Sequence, residues 1–147
     1  MIVQSVVNAI LAGNLIRSAK APVISAGVMI ANMLDVYFAT RYLQLRHDIP
    51  DDPSDRSTAF VLSRLRDRRV LATPQYEGLI DGYEFLSALD HGLRLTVGRR
   101  TRVPLADQAA LATIAGRMRL DSAQQLLEKL AVHRLLIREA FDNILPE

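Results

Sequence analysis

The stretch Thr73–Gly98 constrains this chain more than any other. Tyr76, Leu79 or Ile80, Tyr83, Leu86, Leu89 or Asp90, Leu93 and Val97 recur every three to four residues and so line one stripe of a helix. Phe85 and Leu89 widen that stripe toward a second face, and a helix apolar over so much of its circumference packs between several others. Thr73 suits the N-cap, Pro74 the first helical position, where its missing N–H would be unbonded anyway, and Gly98 the stop. The spacing predicts a central helix of about six to seven turns.

The other segments must cover that helix. Ile2, Val6, Ile10, Leu11, Leu15 and Ile16 predict a helix over 2–19, broken before Pro22. Its start lacks the positive n-region of a signal peptide, so no targeting segment is expected. Val23–Leu34 is almost wholly apolar but shorter than the roughly 18–20 residues that span a bilayer, and Asp35 ends it. The expectation is a buried helix continuing to His47, with Leu34, Phe38, Tyr42 and Leu45 on one face. The proline- and acid-rich run Asp48–Asp55 reads as a loop. Asp55–Arg69 reads as a short helix with Val61, Leu62 and Leu65 inward. Arg64, Arg66, Arg68 and Arg69 crowd its end, where cations suit the helix dipole. After a basic turn, Arg99–Pro104, Asp107 caps a helix to about Met118 with Leu111, Ile114 and Ala115 inward. Asp121 or Ser122 caps a last helix, with Leu126, Leu127, Leu130, His133, Ile137, Phe141 and Ile144 on its apolar side, closed by Pro146. Neither an internal repeat nor a strand is read.

A chain of 147 residues is about one domain. The expected fold is all-α, a single helical bundle of about five to seven helices. Its expected core includes Phe38, Tyr42, Leu45, Leu62, Leu65, Tyr83, Leu86, Leu93, Leu130, Ile137 and Phe141.

The chemistry-bearing residues exclude more than they assert. There is no cysteine, so disulfides and thiolate metal sites are unavailable, which is compatible with a cytoplasmic location. A net charge of +2 demands no anionic partner, and no groove-reading motif accompanies the arginines, so neither nucleic acid nor a membrane is expected as a partner. His47, His91 and His133 fall on three different helices, without the HxxxH or HExxH spacing that puts two imidazoles on one face for a metal. Asp51, Asp52 and Asp55 cluster in the proline-rich loop, where acidic side chains ordinarily solvate the turn. No glycine-rich phosphate loop or serine elbow appears. The residues alone give no catalytic, cofactor-binding or metal-binding assignment.

Several motifs together carry a resemblance. Tyr83-Glu-Phe-Leu-Ser-Ala-Leu-Asp-His-Gly-Leu-Arg-Leu95 resembles the helix of the glutamine-synthetase adenylyltransferase family written Y-x-F-L-R-x-x-E-H-R-L-Q/R-L. Asp35-Val-Tyr-Phe-Ala-Thr-Arg-Tyr-Leu-Gln-Leu-Arg-His47 resembles that family's D-I-E-F-x-x-Q-Y-L-Q-L-x-H. The short helix near Thr58–Leu71, Val103-Pro104 with Leu111–Met118, and the tail from His133-Arg134 to Phe141 resemble its following segments in the same order. The similarity covers about Leu34–Ile144 and extends to the PII-uridylyltransferases of the same superfamily. On this reading 34–145 form the family's helical bundle and 1–33 are divergent N-terminal helices.

In that family the helical domain follows a nucleotidyltransferase domain, which transfers AMP between ATP and glutamine synthetase under control of PII-type proteins. The resemblance therefore implies Asp35, Gln44, Asp90, His91 and Arg94 as motif positions of functional relevance. It implies ATP and Mg²⁺ as cofactors only where a catalytic domain is supplied separately. The catalytic G-S-x(n)-D-x-D pattern, whose paired carboxylates clamp metal on a triphosphate, is absent here. Tyr37 stands where the family has glutamate, Arg41 for glutamine, Ser87 and Gly92 for arginines, and Asp90 for glutamate; Ala31-Asn32 replaces a glycine-led turn. The expectation is a non-catalytic helical module acting by protein contact or regulation in nitrogen metabolism. The alternative is a piece of a working transferase whose catalytic domain lies on another chain or was removed. Expected partners are glutamine synthetase, a PII-type protein or a nucleotidyltransferase domain. The apolar run Val23–Leu34 adds the expectation of a symmetric homodimer or docking contact through the first two helices.

Overall fold

The computed structural model of the chain describes residues 26–98, 103–104 and 106–145. The helix expected over 2–19, the break at Pro22, the basic residues 99–102 and the closing Pro146 lie outside the described residues. Within them the chain is all-α: α1 (Ala26–Arg46), α2 (Thr58–Asp67), α3 (Thr73–Val97), α4 (Gln108–Arg117) and α5 (Ala123–Ile144). No strand occurs among the described residues. No helix among them is long and apolar enough to cross a membrane.

The helix starts follow local rules. Ser57 caps α2 by accepting from Phe60 N–H, and Asp107 caps α4 by accepting from Ala110 N–H. Ser122 caps α5, accepting from Gln125 N–H at 3.1 Å. At α3 the expectation is off by one residue. The Tyr76 amide bonds to Ala72 O, so Ala72 holds the cap position and Thr73 is already helical. The Gln75 side chain reaches back to the Ala72 amide at 3.2 Å, which supplies half of a capping box without a capping hydroxyl.

Three helices end in the same way. Asp48, Arg69 and Arg119 take left-handed φ values of 49°, 59° and 59°. Each is followed by an apolar residue whose amide bonds to the carbonyl five residues back: Ile49 to Gln44, Val70 to Leu65 and Leu120 to Ala115, at 3.0, 2.9 and 2.8 Å. The left-handed residue itself bonds to Leu45, Arg66 and Gly116 respectively. These are Schellman closures, with aspartate or arginine where glycine is usual. Gly98, with φ +72°, follows α3 as expected.

By internal packing the chain falls into two compact units. One comprises the described part of Ala88–Val132 with α1 up to Met29. Its buried side chains are Leu89 and Leu93 of α3, Val103, Leu111 and Ile114 of α4, and Leu126 and Leu130 of α5. Here Gly92 lets α3 lie close to α4: an added Cβ would sit 3.2 Å from Ile114 Cγ2. The other unit runs Ile30–Ser87 and resumes at His133. It buries Val36, Ala39 and Leu43 of α1, Leu62 and Leu65 of α2, Leu79 and Leu86 of α3, and Ile137 of α5. At Gly82 an added Cβ would lie 2.7 Å from the Ile137 side chain, whereas at Gly78 it would meet Leu136 Cβ at an ordinary 3.8 Å.

The expected core is corrected on α1. Leu34, Phe38 and Leu45 are 44%, 54% and 78% exposed, and Tyr42 is half-buried. The buried face is instead Val36, Ala39, Thr40, Leu43 and Gln44. Leu62, Leu65, Leu86, Leu93, Leu130 and Ile137 are buried as expected, while Tyr83 and Phe141 are half-buried.

Two sets of substitutions test this packing. Arg69→Gly and Arg119→Gly should each stabilise the chain by about 0.5–1 kcal/mol, because relief of left-handed strain exceeds the added unfolded-state entropy. A lower melting temperature for both would contradict the Schellman geometry. Gly78→Ala should stabilise by about 0.5–1 kcal/mol through helix propensity. Gly82→Ala should destabilise by about 1 kcal/mol, because overpacking against Ile137 outweighs the same gain. Equal effects at the two glycines would refute the close approach of α3 and α5.

Candidate functional site

The motif positions can now be placed. Asp35 and Gln44 lie nine residues apart on α1, about 180° around the helix, so they serve opposite sides. Asp90, His91 and Arg94 lie on α3 in the other unit.

Along one side of α1 runs a polar seam with α5. Arg134 Nε donates to Asn32 Oδ1 at 2.9 Å across 102 residues of sequence. Desolvation by burial pulls the Arg134 guanidinium below its ordinary pKa. One turn on, Arg138 lies 4.0 Å from the Asp35 carboxylate and 3.3 Å from Asp142, and its guanidinium sits over the Phe141 ring. Asp35 is thus a helix-to-helix ion partner.

Gln44 anchors the other side. Its amide nitrogen donates to Asp51 Oδ1 at 2.8 Å, and its amide oxygen accepts from Arg41. Arg41 also reaches Asp51 at 3.3 Å and the Arg56 carbonyl at 3.4 Å. Together Arg41 and Gln44 tie the acidic loop to α1. The rest of that loop closes on itself. Asp52 accepts from the Ser54 hydroxyl and amide, and Asp55 from the Ser57 amide. Both carboxyls are held below the usual carboxylate pKa, chiefly by the side-chain hydrogen bonds of Ser54 and Ser57. The sign follows: whatever order they lend the loop is present above the unfolded carboxylate pKa and is lost as pH falls through the lowered one.

On α3, Asp90 pairs with Arg94 one turn later at 2.9 Å, and His91 is exposed. His47 is exposed as well. His133 stacks on Phe85, with centroids 4.5 Å apart and 27° between planes. The arginines at the end of α2 are partly ring-bound: Arg64 lies over Phe60 and Arg66 over Tyr76, and Arg66 also pairs with Asp67. Aromatic rings thus accompany two of these four arginines.

The outer face of α1 gathers most of the exposed large apolar side chains among the described residues. Leu34, Tyr37, Phe38 and Leu45 are its exposed apolar side chains, and Arg41 lies among them, 5.4 Å from the Tyr37 ring centroid. Tyr37 and Phe38 meet edge to face at 5.6 Å.

The fold and these pairings define an all-helical domain in which Asp35 and Gln44 tie α1 to a second helix and to a loop. The sequence model of the GlnD PII-uridylyltransferase family matches residues 33–145, from within α1 through α5, and the chain belongs to that family. No curated protein and no solved structure matches it significantly. The relationship inferred from the adenylyltransferase-type motifs is thereby shown at the level of the shared helical domain. Arg134 and Arg138 fall within the matched tail segment, which gave no hint of their partners, while Asn32 and Asp51 carry no motif that marks them.

The Asn32–Arg134 bond can be tested by a double-mutant cycle. Asn32→Ala should cost about 1–3 kcal/mol, because it leaves a partly buried guanidinium without its acceptor. Asn32→Ala with Arg134→Met should recover much of that loss. Strict additivity in chemical denaturation would contradict the pairing.

Proposed function

We propose that this chain is a non-catalytic helical module of the uridylyltransferase family that acts in the cytoplasm by binding protein, within nitrogen regulation. One observation carries the reading. The polar side chains at four of the five motif positions are engaged inside the chain: Asp35 with Arg138, Gln44 with Arg41 and Asp51, and Asp90 with Arg94. The pairs of Asp35 and Gln44 tie α1 to a second helix and to the acidic loop, while Asp90 and Arg94 pair with each other along α3. The departures support the same reading. Gly92, in place of a family arginine, admits Ile114 of α4, and Arg41, in place of glutamine, secures the acidic loop. A module of this kind contributes shape and surface, while ATP or UTP and Mg²⁺ belong to a nucleotidyltransferase domain. PII-type proteins, glutamine synthetase and such a domain are the partners this reading nominates.

The pure chain, given labelled ATP or UTP with Mg²⁺ and either a PII-type protein or glutamine synthetase, should transfer no label. In titration calorimetry it should bind one of the nominated partners. Mg²⁺-dependent labelling by the chain alone would overturn the reading, as would failure to bind all three.

A further inference from the structure

The outer face of α1 reads the same from either end except at its centre, where phenylalanine and arginine exchange places. In order it presents Leu34, Tyr37, Phe38, Arg41, Tyr42 and Leu45. Pair each position with the one whose number completes a constant sum, as antiparallel helices do, and Leu34 meets Leu45, Tyr37 meets Tyr42 and Phe38 meets Arg41. The pattern is self-complementary about a point midway between Phe38 and Arg41. Resting on the reading of this chain as a protein-binding module, we propose that the partner seated on this face is a second copy of the chain, with α1 packed antiparallel on α1 across a two-fold axis.

Three observations support a second copy over an unrelated partner. Among the described residues nothing covers the face: Leu34, Tyr37, Phe38 and Leu45 are 40–78% exposed while the opposite face of the same helix is buried. A two-fold interface needs a patch complementary to itself, and this one places aliphatic on aliphatic at both ends. At its centre the only charge in the stripe, Arg41, falls opposite an aromatic ring. That ring, Phe38, is the most exposed aromatic of the face, and Arg41 already lies over one ring of its own helix. A guanidinium favours the face of a second ring, and two cross-contacts of this kind would flank the axis. The size of the patch sets the strength. It is on the order of a few hundred Å² per copy, short of the about 800 Å² of a standard interface, so the association is expected to be weak and reversible.

The register is testable because the chain contains no cysteine. Leu34 and Leu45 are eleven residues apart, about 16–17 Å along the helix. A Leu34→Cys chain should therefore not crosslink to itself under mild oxidation, nor a Leu45→Cys chain, whereas their equimolar mixture should form a disulfide-linked dimer. Light scattering on the full chain should show a mass rising from one to two copies with concentration. Leu45→Asp should weaken the dimer by at least about tenfold without loss of helicity, because the side chain is exposed in the single copy. Phe38→Arg should do the same, while Phe38→Glu should preserve association by facing Arg41 of the other copy. Self-crosslinking of Leu34→Cys alone would overturn the antiparallel register. A dimer indifferent to Leu45→Asp would overturn the surface. A monomer at every concentration would overturn the proposal: in favour of an intramolecular cover if the Leu34→Cys thiol is shielded from a water-soluble maleimide, and of a different protein if it reacts. None of these results alters the labelling and calorimetry outcomes that test the module reading itself.

Discussion

At Gly82 the backbone of α3 lies so close to Ile137 that one added carbon would fall 2.7 Å from its side chain, and the unit around it depends on that approach. Gly78 faces Leu136 and Phe85 stacks on His133, so contacts descend α5 as they ascend α3, and the two helices run antiparallel. With Ile137 committed to α3, helical geometry turns the next residue, about 100° on, toward a different neighbour. That residue is Arg138, and one turn earlier it is Arg134; these two meet Asp35 and Asn32 of α1. A glycine on one helix thus determines which groups of a second helix are offered to a third.

This dependence explains what the sequence made legible. The extent of α3, the caps at Asp107 and Ser122, and the inward faces of α2 and α4 follow from local pattern, and all were readable. Three helix ends were less so, because the left-handed positions are filled by Asp48, Arg69 and Arg119 and only Gly98 carries the usual sign. On α1 the difficulty was of another kind. A helix apolar all round gives periodicity no face to choose, and choosing the larger side chains selects Phe38 and Leu45. The fold instead buries Val36, Ala39, Thr40 and Leu43. Small side chains permit close packing, and Thr40 satisfies its hydroxyl on the Val36 carbonyl at 2.7 Å.

The candidate site was legible only by halves. Family pattern pointed to Asp35, Gln44, Asp90, His91 and Arg94, and of these only the Asp90–Arg94 pair lies within one turn. The partners of the others come from 7 residues away for Asp51 on Gln44, and from the far end of the chain for Arg138 on Asp35. No periodicity records such pairings, since they are set by how α5 sits on α3. The Gly92 position shows the same limit. In the sequence it reads as a lost arginine, and in the structure as room for Ile114.

Arg41 joins the two faces of α1, and its contacts bear on how that helix can act. Its guanidinium is anchored by Asp51, Gln44 and the Arg56 carbonyl on one side and overlies Tyr37 on the other. A long cationic side chain held in this way gives up little further rotamer freedom when a surface closes over it, so the ordering cost of a contact there is already largely met by the fold. Asp51 moderates the charge without cancelling its attraction to a ring. The residue that replaces the family's glutamine therefore does two things through one constraint: it fixes the acidic loop, and it holds a cation rigid in the middle of an otherwise apolar stripe. A rigid, singly charged, apolar face is suited to a partner that brings aromatic surface and no second cation to that point. A copy of the same helix laid antiparallel brings Phe38 to that point, with its own Arg41 offset along the axis by three residues, about 4.5 Å.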